Sequence, residues 1–474
     1  MLRKLPGDHT RDIVSTVPTS VVFRPVVVNT PAIITLAALL VRALAGAART
    51  VWRHPVACLA VTVPIALCLL LGWRTGLLVP LAVVSALTGW RFTEPASFTR
   101  WVGLRLRAWW VLMWVYRRHW QPVMVVSGLA KHLGAREYLP RLVKVTCTPT
   151  ADVVRVKMLS GQSADAWQER ADNLAHGFAR PQCRVTLGAP GRLVLVFPRR
   201  DLLATAIPAL PLPAGPLVAS VPIGLREDGA PYLLKLHGTH VLVAGATGAG
   251  KGSWLWSAIR ALLPAAAAGL VQLWALDPKL MELSYGRDLF GKRYAADPAD
   301  CAELLEAAVQ VMQERAARYA GVHHAHVPTV DDPFVVVIVD EVAFLTAYQT
   351  DRKLKERILG ALATLTTQGR AVGFTVLAAL QDPRKEVLSI RNLFPDKIAL
   401  RLDEPTQVDL VLGDGARDRG ALADQISSYP ATGAGVGYVR LEANPEPVRV
   451  RAAYVSDTDI RAMVYEFAGV GEGR

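Results

Sequence analysis

Three short stretches of this chain carry residue types whose spacing could do chemistry. The first, VLVAGATGAGKGS, runs from Val241 to Ser253. Four apolar residues lead into Gly245, Gly248 and Gly250 and then Lys251, the Gly-x-x-x-x-Gly-Lys spacing of a phosphate-binding loop. Glycines let the backbone curl round an anion with no Cβ in the way, successive N–H groups point inward, and the helix that follows offers its positive end. The candidate cradle for a nucleotide is Gly245, Ala246, Thr247, Gly248, Ala249, Gly250, Lys251, Gly252 and Ser253, with Lys251 as the point charge for the outer phosphates. One position departs from the pattern. Where Ser or Thr should bind Mg²⁺ the chain has Gly252, and a hydroxyl arrives one place late at Ser253. We expect Ser253 or Thr247 to supply that ligand.

The second stretch, FVVVIVDE, ends in Asp340 and Glu341. Beside a phosphate loop, the first acid suits the metal and the second suits a general base that polarises the attacking water. A single acid after a strand would be an ordinary solvated turn, but two after a buried strand are harder to explain that way. The third, GRAVGFTVLAALQDP, ends its apolar run on Gln381, placed to sense a γ-phosphate, and carries Arg370 on the preceding loop. Between these, VQLWALDPKLMELS delivers Asp277 and Lys279 at the end of another apolar run.

Elements must bring these stretches together. Runs buried on both faces imply a parallel sheet, and open α/β sheets bind ligands at the carboxyl ends of their strands. We therefore expect an α/β motor-like domain over residues 208–474, with GVGYVRL and VRVRAAYV closing the sheet as a hairpin. Upstream, residues 138–207 read as a small α+β module, strand–strand–helix–strand–strand, whose helix runs from Ser163 to Ala179. Pro208, Pro211, Pro213 and Gly215 mark a boundary after it.

The remaining expectations concern the membrane. Hydrophobic residues make up 52% of the 474, and the net charge of +13 is uneven: residues 1–120 hold 14 Lys/Arg against three acids. Residues 1–54 read as a cytoplasmic tail with an interfacial helix over Ala32 to Ala48, or else a third span there. Residues 55–90 read as a transmembrane hairpin made of Pro55 to Trp73 and Gly76 to Trp90. Residues 91–137 form a juxtamembrane basic and aromatic helical region, in which Arg100 to Trp120 lies at the interface. Tryptophans cluster at these ends, and the arginines place both termini and the motor on the cytoplasmic side of a multi-pass protein in the cell membrane. The five cysteines show no metal or disulfide spacing.

Taken in order, GATGAGKGS, LDPKLMELS, VVVIVDE, GRAVGFTVLAALQDP, DKIALRL and LGDGARD resemble the motor of the FtsK/SpoIIIE DNA translocases, and the single-motor form resembles the TraB/TraSA-type transfer proteins of mycelial actinobacteria. That resemblance implies a RecA-like fold, ATP with Mg²⁺, and a homo-hexameric ring around double-stranded DNA. It also places Arg370 at a trans-arginine position and Gln381 at a sensor position. Plasmid or integrative-element transfer is the implied setting. We expect no winged-helix domain of the kind with which many relatives read DNA, which would leave loading to a partner protein or another surface. The alternatives are a protein-secretion ATPase of the same type and a nucleotide-gated membrane scaffold with little turnover.

Overall fold

The computed structural model describes residues 73–133, 136–383 and 391–467, together with residues 41, 65, 66 and 69. The chain divides into two compact units, Met1–Thr99 and Arg100–Arg474. In the first, helix α1 (Trp73–Thr93) takes in the apolar run Gly76 to Trp90 and also the expected connecting turn at Arg74 and Thr75. Its end is held by Trp90, whose indole N–H donates to Ser97 Oγ at 2.7 Å while the ring meets Phe98 edge-on.

No helix among the described residues is long and apolar enough to cross a membrane. This corrects the expected hairpin and the multi-pass placement built on it. In α1 the uncharged stretch between Arg74 and Arg91 is shorter than the roughly 20 residues a spanning helix needs. The other apolar runs, Pro55 to Trp73 and Ala32 to Ala48, fall outside the described residues except at 41, 65, 66, 69 and 73, and the tail before them falls wholly outside.

The second unit begins with a helical stretch that passes from Leu104–Val111 through a π turn, Leu112–Arg117, to Arg118–Val126. One face of it is buried: Val111, Tyr116, Trp120, Val123 and Met124 join a core with Val154, Val156, Leu193, Leu195 and Phe197. These last come from a four-stranded antiparallel sheet of β1 (Arg141–Cys147), β2 (Ala151–Lys157), β3 (Arg184–Leu187) and β4 (Arg192–Pro198), in the order β1-β2-β4-β3. Trp101, Trp109, Trp110 and Trp114 remain exposed on the other face. The single helix expected over Ser163 to Ala179 is broken into Asp165–Gln168 and Ala171–Gly177, and Trp167, Leu174 and Phe178 still reach the core.

The large sheet has ten strands. They are β5 (Ser220–Arg226), β6 (Pro231–Lys235), β7 (Val241–Ala244), β8 (Val271–Leu276), β9 (Tyr294–Ala295), β10 (Phe334–Val339), β11 (Phe374–Leu380), β12 (Asp396–Ala399), β13 (Val436–Leu441) and β14 (Asn444–Ala452). Their order is β9-β8-β10-β11-β7-β12-β13-β14-β5-β6. Pairing is parallel from β9 to β12 and antiparallel from there to β6. The hairpin β13–β14 therefore does not close the sheet. A further hairpin, β5–β6, lies outside it, and its alternating burial marks a strand pair with one wet face.

Every residue of β10 and β11 is buried, as a sheet covered on both faces requires. The alternation assigns them to opposite sides. Val335, Val337 and Val339 pack with helices α3 (Pro298–Tyr319) and α4 (Arg352–Gln368), whereas Phe334, Val336 and Ile338 pack with α2 (Lys251–Ala267). Arg184 of β3 pairs with Glu227 after β5, and Arg449 of β14 pairs with Asp201 at 2.9 Å, tying the small sheet and its exit segment to the large one.

Candidate active site

Strands β8, β10, β11 and β7 are neighbours and run parallel, so their carboxyl ends lie along one edge of the sheet. That edge collects Asp277 after β8, Asp340 and Glu341 after β10, Gln381 after β11, and the Gly245 to Gly250 loop after β7.

The loop is built from both sides. Gly245 N–H donates to Leu380 O at 2.9 Å and Ala246 N–H to Arg401 O at 2.8 Å, while Gly435 N–H donates to Ala249 O at 2.9 Å. Gly250 caps α2 with φ +90°, and a Cβ there would meet Gly435 N at 2.2 Å, so two glycines pack backbone to backbone. Arg401 reaches over the tip to Thr247 O at 2.8 Å and pairs with Asp403 at 2.9 Å. Thr247 and Gly248 are exposed at that tip, and Ala249 is buried beneath it.

Lys251, at 8% exposure, turns its ammonium onto its own loop, donating to Gly245 O at 2.7 Å and Ala246 O at 3.2 Å. Burial pulls its pKa down to about 8, against the opposing pull of Glu341 and Asp340. Glu341 is almost fully buried. Its Oε2 lies 3.2 Å from Lys279 Nζ, and its Oε1 accepts from the backbone N–H groups of Ala343 and Gln381, each at 3.3 Å. Gln381 thus meets Glu341 through its main chain. Asp277, fully buried, accepts from Leu283 N–H and Ser284 N–H at 2.9 Å each through Oδ2, while its Oδ1 has no hydrogen-bond partner.

Asp340 is pushed up to about 7, first by burial and then by the nearby negative groups Asp277, Glu282 and Glu341. Glu282 is raised by burial and by Asp277. Four carboxylates thus converge on a partly buried edge with two lysines, Lys251 and Lys279. Among the described residues no three His, Cys, Asp or Glu side chains are drawn together closely enough to hold a metal by themselves. That suits Mg²⁺, which takes one or two carboxylates together with substrate phosphates and keeps several waters. An orphaned buried oxygen on Asp277 and the unneutralised acids fit a dication arriving with its nucleotide.

The structure therefore brings together the loop, Lys251, Asp340, Glu341 and Gln381. It does not bring Arg370 to them. Arg370 precedes β11 at the opposite end of a seven-residue strand, roughly 20 Å along the sheet from Gln381. There its guanidinium donates to Gly238 O at 3.1 Å and pairs with Glu442 at 2.7 Å. Ser253 lies beside Gly435, its Oγ 3.8 Å from where a Cβ on that glycine would stand. Three contributors escaped the sequence reading: Glu282, which stands inside LDPKLMELS, and Arg401 and Gly435, which lie far from the loop in the chain and become its neighbours only through the pairing of β7, β12 and β13.

Comparison with known proteins bears on the family of part of this chain. Residues 217–326 match the FtsK/SpoIIIE family, a stretch that includes the phosphate loop and Asp277 to Ser284 and ends before Asp340. The chain is 24% identical over 340 residues to DNA translocase FtsK of Streptococcus pneumoniae, covering 67% of this chain and 42% of that protein. It is 27% identical over 323 residues to DNA translocase FtsK of Halalkalibacterium halodurans, covering 62% and 39%. It thus spans less than half the length of these curated relatives. A solved structure of the pCW3 conjugation coupling protein TcpA, monomer form with ATPgS, aligns with a TM-score of 0.47 at 18% identity, covering 74% of this chain and 98% of that one, a likeness too distant to bear on function. The chain carries an FtsK/SpoIIIE family domain over residues 217–326.

Proposed function

We propose that the chain is an ATP-driven motor that translocates double-stranded DNA. The single observation carrying this reading is the shared edge of four adjacent parallel strands, which sets the phosphate loop, Asp340, Glu341 and Gln381 side by side in a chain with an FtsK/SpoIIIE domain. Backbone amides of Thr247, Gly248 and Gly250 to Ser253 hold the phosphates, those of Gly245, Ala246 and Ala249 being engaged within the fold, and Lys251 exchanges its two loop carbonyls for phosphate oxygens. Asp340 would hold Mg²⁺, which would offset the charge that builds on the phosphate oxygens during transfer. Glu341 takes the proton of the attacking water. Its buried carboxylate is fixed for that task by Lys279 and by two backbone N–H groups. Gln381, one residue beyond β11, is the γ-phosphate sensor. Arg370 lies too far from the loop of its own subunit to serve it, which supports a role on a neighbour's nucleotide in a homo-hexameric ring around the duplex. Transfer of a plasmid or integrative element is the setting we favour, on the resemblance of the ordered motifs, with a partner protein to recruit the DNA.

Turnover by the full chain tests this. Duplex DNA should stimulate ATP hydrolysis several-fold more than single strands do, and Glu341→Gln should bind ATP while hydrolysing it at least about 100-fold more slowly. Hydrolysis indifferent to duplex DNA would refute the DNA reading.

A further inference from the structure

Gly252 is a departure with a structural counterpart. A Cβ built on it would stand 2.0 Å from Glu282 Oε1, 2.5 Å from its Cδ and 2.7 Å from Oε2. The volume that a serine or threonine side chain would fill at this position is thus filled by the carboxylate of Glu282. Its Oε1 lies little more than a bond length from that Cβ position. In P-loop enzymes that hydroxyl is a Mg²⁺ ligand, together with the acid at the end of the neighbouring strand.

We propose that Glu282 replaces the missing hydroxyl and is, with Asp340, a protein ligand of the nucleotide's Mg²⁺. The proposal rests on the nucleotide-binding reading above and deepens it. Glu282 is held in place by its own loop: Leu283 and Ser284, the next two residues, donate their N–H groups to Asp277 Oδ2 at 2.9 Å each. Electrostatics agree with the geometry. Asp277, Glu282, Asp340 and Glu341 face Lys251 and Lys279, an excess of two negative charges when all are ionised, which a dication balances. Glu282 also lies near enough to Asp340 to raise it. A carboxylate in place of a neutral hydroxyl gives this site a stronger hold on the metal and a weaker one on nucleotide without metal, because it repels the phosphates. Gly252 is then required, since any side chain there displaces the ligand.

The test uses the full chain with ATPγS and Mn²⁺, reading Mn²⁺ affinity by electron paramagnetic resonance and ATPγS affinity in EDTA by calorimetry. Glu282→Gln keeps the volume and should weaken Mn²⁺ in the ternary complex about tenfold or more, while ATPγS binding in EDTA stays equal or tightens. Gly252→Ser alone should weaken Mn²⁺ by collision with Glu282, and Gly252→Ser combined with Glu282→Ala should recover most of the loss by restoring a hydroxyl. Wild-type Mn²⁺ affinity in Glu282→Gln overturns the proposal, as does a loss of Mn²⁺ affinity in Ser253→Ala with none in Glu282→Gln. Failure of the unaltered chain to bind ATPγS at all would instead overturn the nucleotide reading on which the proposal rests. Thermal unfolding of each variant without nucleotide separates ligand loss from misfolding.

Discussion

Two residues show how differently a side chain's role is written in a sequence. Gly250 is legible, because the motif demands a glycine and the structure supplies two independent reasons: a left-handed φ of +90° and the approach of Gly435 N. Gly250→Ala should abolish ATP binding and cost stability of about 1–3 kcal/mol from strain alone; calorimetric titration with ATP and urea unfolding check both parts. His240 carries no motif, yet it is fully buried just before β7, and its Nδ1 accepts the Val376 N–H at 3.0 Å. Burial, reinforced by the Arg370 cation, holds it down to about 4. An unfolded chain protonates this ring near 6.5, so the unfolded state binds the extra proton between those values, and the native state is favoured only while the ring is neutral. The stabilisation is complete above about pH 6.5 and is lost as pH falls toward 4, by up to about 3 kcal/mol at ~1.4 kcal/mol per unit. His240→Asn, which keeps an acceptor without the titration, should flatten the fall in urea midpoint between pH 6.5 and 4.5. An unchanged slope would show that another group carries the acid sensitivity.

At the scale of elements, what could be read depended on whether a segment's burial followed from its own pattern. β10 and β11 announce themselves because six or seven consecutive apolar residues have no other soluble use than a doubly covered strand. β5 and β6 carry weaker alternation, so nothing local says that they extend the sheet beyond β14. The apolar run in α1 was misread for the opposite reason, its local composition outweighing the arginines that shorten it. Helix α5 (Pro405–Leu412) follows β12, and helix α6 (Asp457–Glu466) lies outside the sequence expectations, although it carries a local start signal. α6 starts in a capping box: Ser456 Oγ accepts from Asp459 N–H at 3.3 Å, and the Asp459 carboxylate accepts from Ser456 N–H at 2.9 Å. It packs Ile460 and Met463 into the same core as α2. Ser456→Ala should therefore destabilise the chain by about 1 kcal/mol, seen as a lower urea midpoint, with nucleotide affinity unaltered.

Across the whole molecule, the separation of Arg370 from the other candidate site residues is what a single subunit leaves unexplained. Sequence places Arg370 eleven residues before Gln381, and a fully buried strand between them then carries the two to opposite edges of the sheet. Its present partners, Glu442 and Gly238 O, hold the guanidinium at the surface with 42% of its side chain exposed, where another subunit could meet it. If the ring proposed above exists, the arginine of one subunit and the Glu341 of the next form one active site, and the two defects should complement. Arg370→Ala and Glu341→Gln chains would each be inactive alone. Mixed before assembly, they create interfaces in which Arg370 of a Glu341→Gln subunit faces Glu341 of an Arg370→Ala subunit, with both groups intact. DNA-stimulated ATP hydrolysis should then reappear in the mixture, peak near equal proportions, and be absent from chains carrying both substitutions. Should every ratio stay as inactive as the separate variants while mixed assemblies demonstrably form, Arg370 acts within its own chain, and its pair with Glu442 is a fold contact that happens to lie at the surface.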